Sequence, residues 1–269
     1  DTIFWFSAPE ISASLGDNPI SLRILSYDNP STVTISQPAN GSFTPIVISL
    51  PAHSVQSVDL TPFIASIESP SANTIANTGL KISATERISA YYEVNAANNR
   101  EIFSLKGSKA LGIDFYTPFQ NFWKSGATTP ASFSSVDIVA TQNNTTVLIT
   151  PKTAIVGHAA NVTYSITLNA GQTYSIRETN ITNPTKLSGS IVSANKPIAI
   201  TLHSGALNNA GCLSTMGDQI TNSSYLGKNH IVQRGTTKND RVYVMAIENG
   251  TTITFTNSTT SSTLINWGE

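Results

Sequence analysis

Few residues in this chain are of types that do chemistry, and they are scattered. One cysteine, Cys212, accompanies four histidines, His53, His158, His203 and His230. A thiol beside a histidine base makes a nucleophilic pair, so Cys212 with His203 or His230 is the combination to consider. The run Asn208–Ser214 matches no protease signature, and cysteine is more often a small buried hydrophobe. The histidines lack zinc-like spacing and read as surface or hydrogen-bonded side chains. No Gly-x-Ser-x-Gly elbow, phosphate loop or dinucleotide fingerprint occurs. Glu86 and Glu93 flank one predicted strand at odd spacing, hence on opposite faces, so no glycosidase pair can be read from them. The reading is of a chain with no catalytic residues. Asp/Asn turns such as Asp17-Asn18, Asp28-Asn29 and Gly217-Asp218-Gln219 offer oxygen ligands suited to a structural calcium. Asp218 is the candidate metal ligand, with ordinary turn chemistry as the competing reading.

The densest feature of another kind is aromatic, the run Phe115–Trp123. Tyr116, Phe119, Asn121 and Trp123 are its candidate binding residues. If exposed, they would touch a carbohydrate or protein. If buried, they would wedge one structural unit against the next, and their place at an inferred boundary favours the wedge.

The elements that must position these residues are strands. Ser21–Tyr27, Val136–Thr141 and Arg241–Ala246 alternate apolar and polar residues, the period of a half-buried strand. Each runs into an Asn/Asp/Gly/Pro turn (Asp28-Asn29-Pro30, Gln142-Asn143-Asn144, Glu248-Asn249-Gly250) and then a second alternating run. That pattern predicts β-hairpins, as does Asn169–Gln172 between Tyr164–Leu168 and Thr173–Ile176. One or two helical turns are expected at Thr61–Ile67, with Thr61 as cap and Pro62 at the first helical position.

These segments repeat. Ser26–Val33 is echoed at Ala140–Val147 after 114 residues and at Ala246–Ile253 after a further 106. Gly79–Tyr91 is echoed at Ser188–Thr201, and Ala110–Tyr116 at Tyr225–Ile231. The expectation is an all-β chain of tandem Ig-like β-sandwich domains, 1–108 and 109–223, with an incomplete third repeat at 224–269 packed on the second. Propeller blades are the alternative. The hairpin Arg241–Trp267 is expected to pair with a neighbouring unit or molecule.

Composition excludes several functions. Charged residues are 12% and the net charge is −1, while Ser, Thr and Asn together make 92 of 269 residues. Nucleic-acid binding needs clustered Lys/Arg, so no nucleic acid is expected. No apolar run is long enough to span a bilayer, so no membrane insertion is expected either. A single cysteine forbids an internal disulfide, which fits an exported bacterial surface protein better than an animal secreted one. The start at Asp1, with no signal segment, reads as a processed or trimmed product.

Several runs carry a family resemblance: Ile3–Pro9, Leu111–Asn121, Ser193–Ile200, Gly211-Cys212, Gly217–Ile220 and Leu226-Gly227. Together they resemble the IgGFc-binding-protein N-terminal region, as found in large exported Bacteroidetes proteins that often carry type IX secretion or gliding-motility domains. Where that family commonly has a second glycine and an acidic residue around the cysteine, this chain has Ala210 and Ser214. The resemblance implies a secreted or cell-surface adhesion module that recognises an extracellular glycan, mucin or protein, within a polypeptide carrying further repeats. The other readings are a purely structural spacer and a carbohydrate-active enzyme on a β-sandwich.

Overall fold

The computed structural model describes residues 1–69, 71–97, 99–182, 186–233, 241–256 and 260–265. It is nearly all β, with 49% strand and 6% helix, and its sheets are antiparallel and stacked as in a β-sandwich. The first nine strands are β1 (Ile3–Phe6), β2 (Ile20–Ser26), β3 (Ser31–Ser36), β4 (Ile46–Leu50), β5 (Val55–Asp59), β6 (Ile75–Ala76), β7 (Leu80–Ala84), β8 (Ile88–Ala96) and β9 (Asn99–Leu105). Two four-stranded sheets form, ordered β1-β7-β3-β4 and β5-β2-β8-β9. The alternation in β2 puts Ile20, Leu22 and Ile24 inward and leaves Arg23 outside. Facing Phe4, Phe6, Val33, Ile35 and Ile82, they make one dry core. The helical turns at Thr61–Ile67 are present, but Leu60 takes the cap position. The Thr61 hydroxyl instead accepts the Ile20 N–H at 3.1 Å.

The second half has β10 (Gly112–Tyr116), β11 (Ser134–Ala140), β12 (Thr145–Thr150), β13 (Tyr164–Leu168), β14 (Thr173–Arg177), β15 (Ile191–Asn209) and β16 (Cys212–Gln219). Strand β15 has 19 residues and serves two layers. Its first stretch pairs with β10 and β12, its later stretch with β11 and β16, and Pro197 lies between. It therefore does the work of β7 and β8 joined. Every pairing of the first half recurs: β10 stands for β1, β12 for β3, β13 for β4, β11 for β2, β14 for β5 and β16 for β9. A second core gathers around Phe115, Val136, Ile138, Val147, Ile149 and Ile200.

Three predicted hairpins are not hairpins. β2 and β3 lie in different sheets; β11 and β12 are separated by β15; β13 and β14 pair with different partners. The Asn/Asp turns are corners that carry the chain between layers. The alternation of a strand is the same whether its successor lies beside it or opposite it, so the pattern could not tell the two apart. Side chains tie each corner to the facing turn. Thr32 N–H donates to Thr85 Oγ1 at 3.0 Å, and Thr146 N–H to Asn195 Oδ1 at 2.8 Å.

The C-terminal segment departs from expectation for the same reason. Residues 241–245 form no strand, and β17 (Thr251–Thr256) pairs with β18 (Thr260–Ile265) as a separate two-stranded sheet. Arg241–Ala246 occupies the place of β2 and β11 in the repeat, and no counterpart of β5 or β8 exists among the described residues to pair with it. It rests on the second half through side chains, with Arg241 3.5 Å above the Phe122 ring and Ser188 Oγ 3.6 Å from Met245 Sδ. Trp267 lies outside the described residues.

The two halves meet along the outer face of β14, β11 and β15. Ser135, Asp137, Thr173, Ser175, Thr201 and His203 point out of the second core, yet each is at most 1% exposed, because the first half covers them. Trp5 packs there against Ala110, Val139 and Ala199. β6 extends the second half's sheet beside β14, and Thr78 and Thr173 hydroxyls meet at 2.7 Å. At the other margin, side chains of β16 satisfy the open edge of β9. Ser104 N–H donates to Asp218 Oδ1 at 2.7 Å and Lys106 N–H to Gln219 Oε1 at 2.8 Å. An edge capped in this way presents no free ladder to another strand.

Candidate functional site

The repeat gives a residue-by-residue comparison of the two halves, and one group of differing positions opens a cavity. Leu22 faces Tyr92 across β2 and β8, as Val136 faces Leu202 across β11 and β15. Tyr92 in turn faces Phe103, and Leu202 faces Asp218. Phe4 faces Ile82 as Phe115 faces Val192, which makes Thr117 the counterpart of Phe6. In the first half Phe6, Tyr92 and Phe103 pack ring to ring, with centroids 5.0, 6.1 and 6.0 Å apart. In the second half the three positions hold Thr117, Leu202 and Asp218. Thr117 turns its hydroxyl to the Leu187 carbonyl at 2.6 Å, and Asp218 reaches outward.

Where the aromatic plug is missing, a cavity of about 430 Å³ opens, with Leu202 and Asp218 in its lining. Tyr116, Pro118, Phe119, Met216, Ile220 and Leu226 form its apolar walls. The end of β10 and the loop after it supply the aromatic side, β16 supplies Met216 and Asp218, and the 3-10 turn Ser223–Tyr225 delivers Leu226. Asn222 anchors that turn: its amide donates to Leu111 O at 2.6 Å and its carbonyl accepts Ser224 N–H at 2.9 Å. At one side Lys106 Nζ lies 2.5 Å from Asp218 Oδ2. Asp218 Oδ1 already accepts the N–H groups of Ser104 and Gln219, at 2.7 and 2.9 Å.

Of the residues singled out in the sequence, the cavity brings together Tyr116, Phe119 and Asp218. It does not include Asn121, which is exposed, or Trp123, which is half-buried, set edge-on to Phe122 and fixed through Gln120. The run Phe115–Trp123 does not form the wedge between the halves. Phe115 and Phe119 belong to the second core, and Trp5 is an aromatic that does pack at the junction. Asp218 faces the Lys106 ammonium group, and among the described residues no group of three His, Cys, Asp or Glu side chains is arranged to hold a metal. Lys106, Leu202, Met216 and Leu226 were not anticipated. The signal that points to them is the exchange of Phe103 for Asp218 at one repeat position.

Cys212 and His203 sit at different points along the β15–β16 hairpin. Cys212 is exposed, not buried, at the tip of the β15–β16 hairpin, opposite Asn209. His203 lies farther along, opposite Gly217, with Nε2 3.1 Å from Thr215 Oγ1. Burial pushes its pKa down to about 3, which keeps the imidazole neutral. A separate acidic cluster sits between the halves: Glu10, Glu68 and Asp137 around Arg177. Burial raises Glu68 to about 9 and Asp137 to about 6, and also raises Glu10. Arg177 also lies 3.9 Å from the Phe133 ring. None of these four residues lines the cavity.

Residues 103–269 match the family model described as IgGFc binding protein. The chain belongs to the IgGFc-binding family. That family consists of extracellular, non-enzymatic binding domains, and every residue lining the cavity falls inside the matched segment. No curated protein matches the chain. Among solved structures, a calcium binding mutant of Bacteroides uniformis beta-glucuronidase 2 aligns with 82% of this chain at 11% identity and a TM-score of 0.19. This chain spans about a quarter of that one (26%), and a likeness that slight carries no argument.

Proposed function

We propose that this chain is a ligand-binding adhesion module of a secreted or cell-surface bacterial protein, with the cavity of the second half as its ligand site. The units are 1–108, 109–223 and the opening of a third at 224–269, within a polypeptide that carries further repeats of the same kind. The ligand is an extracellular glycan, mucin or protein. A single observation carries the reading: a duplicated scaffold keeps its aromatic plug in one copy and replaces it with an open apolar cavity in the other. Large apolar cavities with few polar groups are where ligands bind. Repetition along a surface array would multiply weak contacts.

The test is a binding screen of the chain against arrays of extracellular glycans, mucins and matrix proteins, repeated with Leu226→Arg. Leu226 stands at the cavity mouth and is 49% exposed, so a charge there blocks entry without touching the core. The reading expects at least one ligand whose binding the variant loses. Ligands bound equally by both proteins would overturn it. The spacer reading rests on the polar junction between the halves, and a chain that binds nothing on any array would favour it.

A further inference from the structure

We infer that the cavity of the second half takes an aromatic side chain presented by a protein ligand. The inference rests on the cavity being the binding site and names what enters it. The first half shows what this scaffold encloses when the position is filled. There the ring of Phe103 lies against Phe6 and Tyr92 and is fully buried. The second half keeps the surrounding strands and pairings but places Asp218 where that ring would originate. What is missing is a ring, and a ring from outside restores the arrangement.

The polar groups of the lining support the same class of ligand. A sugar gives up water on several hydroxyls and needs a partner for each one it buries. The Lys106 ammonium is already held by Asp218 Oδ2 at 2.5 Å and by Ser104 O at 3.4 Å. Asp218 Oδ1 already accepts two backbone N–H groups. Gln219 donates its amide to Trp5 O and accepts Lys106 N–H at its carbonyl, Ser204 Oγ meets Ser134 Oγ at 3.1 Å, and His203 Nε2 meets Thr215 Oγ1. The rest of the lining is the Thr221 hydroxyl, the Tyr116 phenol, and the carbon and sulfur of Pro118, Phe119, Leu202, Met216, Ile220 and Leu226. Such walls suit a flat apolar side chain, with Met216 sulfur as a soft contact at its edge.

The chain has two methionines, Met216 and Met245. Only Met216 lines the cavity, so Met245 serves as an internal control. The experiment labels both methyl groups with 13C in the full chain and titrates N-acetyl-phenylalanine amide, N-acetyl-leucine amide and N-acetylglucosamine in parallel. The inference expects the phenylalanine probe to move the Met216 methyl upfield in a saturable way, with a dissociation constant on the order of 1 mM for so small a ligand. Met245 should stay still. Asp218→Phe, which rebuilds the plug, and Leu226→Arg, which leaves the core alone, should each abolish the shift. If leucine or the sugar moves Met216 as strongly as phenylalanine, the aromatic assignment is overturned while the cavity stands as a binding site. If no probe moves Met216, and the array ligands ignore Leu226→Arg, both readings are overturned.

Discussion

Glu68→Gln should make the protein more stable at pH 8 while changing little at pH 5. Glu68 is 5% exposed at the junction of the halves, and its Oε2 accepts the Ile11 N–H at 3.2 Å. Glu10, Asp17 and Asp137 are the acids that act on it, Arg177 is the cation of the cluster, and the Tyr92 phenol shares its surroundings. Burial, reinforced by those acids, lifts its pKa from 4.5 to about 9. The folded protein therefore holds a proton that the unfolded chain has released throughout that interval. Where the folded state binds more protons, stability falls as pH rises, by up to about 1.4 kcal/mol per unit for one group. Between pH 5 and pH 8 the upper limit is about 4 kcal/mol, and water entry into the junction lowers it. Asp137, raised to about 6 by burial, adds a smaller loss with the same sign, concentrated below pH 6.

Glutamine keeps the acceptor for Ile11 and cannot ionise. The variant should match the parent at pH 5 and exceed it by about 1–4 kcal/mol at pH 8. Urea unfolding followed by tryptophan fluorescence reads this well, since Trp5 is buried at the same junction. A parent whose stability is flat or rises from pH 5 to pH 8 would refute the reasoning, as would a variant with the parent's slope.

Three further outcomes follow from the packing. Phe103→Ala, which empties the plugged position of the first half, should cost about 3–5 kcal/mol in urea unfolding. Gly79→Ala should cost about 1–3 kcal/mol, since a methyl there would lie 2.6 Å from Gly171 O and Val139; an unchanged midpoint would mean the halves are less closely apposed. Cys212, exposed at a hairpin tip, should react with a thiol reagent in the native protein as fast as a free cysteine, and a protected thiol would contradict its position.

The strands and their repetition were legible in the sequence, because a half-buried strand writes its period into the chain. Ile20, Leu22 and Ile24 alternate for that reason. Which strands pair was not legible. Asp28-Asn29-Pro30 is a good turn for a hairpin and an equally good corner between layers, and only long-range partners decide. The aromatic run was visible as a cluster, but its division into core (Phe115, Phe119), cavity wall (Tyr116) and surface (Asn121) depends on which way each residue points at the end of β10. The cavity itself arises from a residue that is absent. It appears only when Phe103 and Asp218 are aligned through the pairings of β8, β9, β15 and β16. The acidic cluster was hidden for a similar reason. Glu10, Glu68, Asp137 and Arg177 are far apart in the chain and meet only where the halves meet.

Replacing a buried aromatic plug by an open cavity removes several kcal/mol of packing, about the cost of a large-to-small core substitution. The second half carries that loss because its sheet is covered on both faces. In β11 every residue from Ser134 to Ala140 is buried: Val136 and Ile138 lie against the second core, and Ser135 and Asp137 against the first half. The corresponding strand of the first half, β2, has solvent on its outer side, with Arg23 exposed. The plugged half thus buttresses the open one. Their junction is also locked by hydrogen bonds that cross it, Ser104 to Asp218, Lys106 to Gln219 and Gln219 to Trp5 among them. Asp218 links the two roles. In place of a ring it leaves the cavity open, and with the same carboxylate it caps the edge strand of the neighbouring half, so opening the site and fastening the halves share one residue.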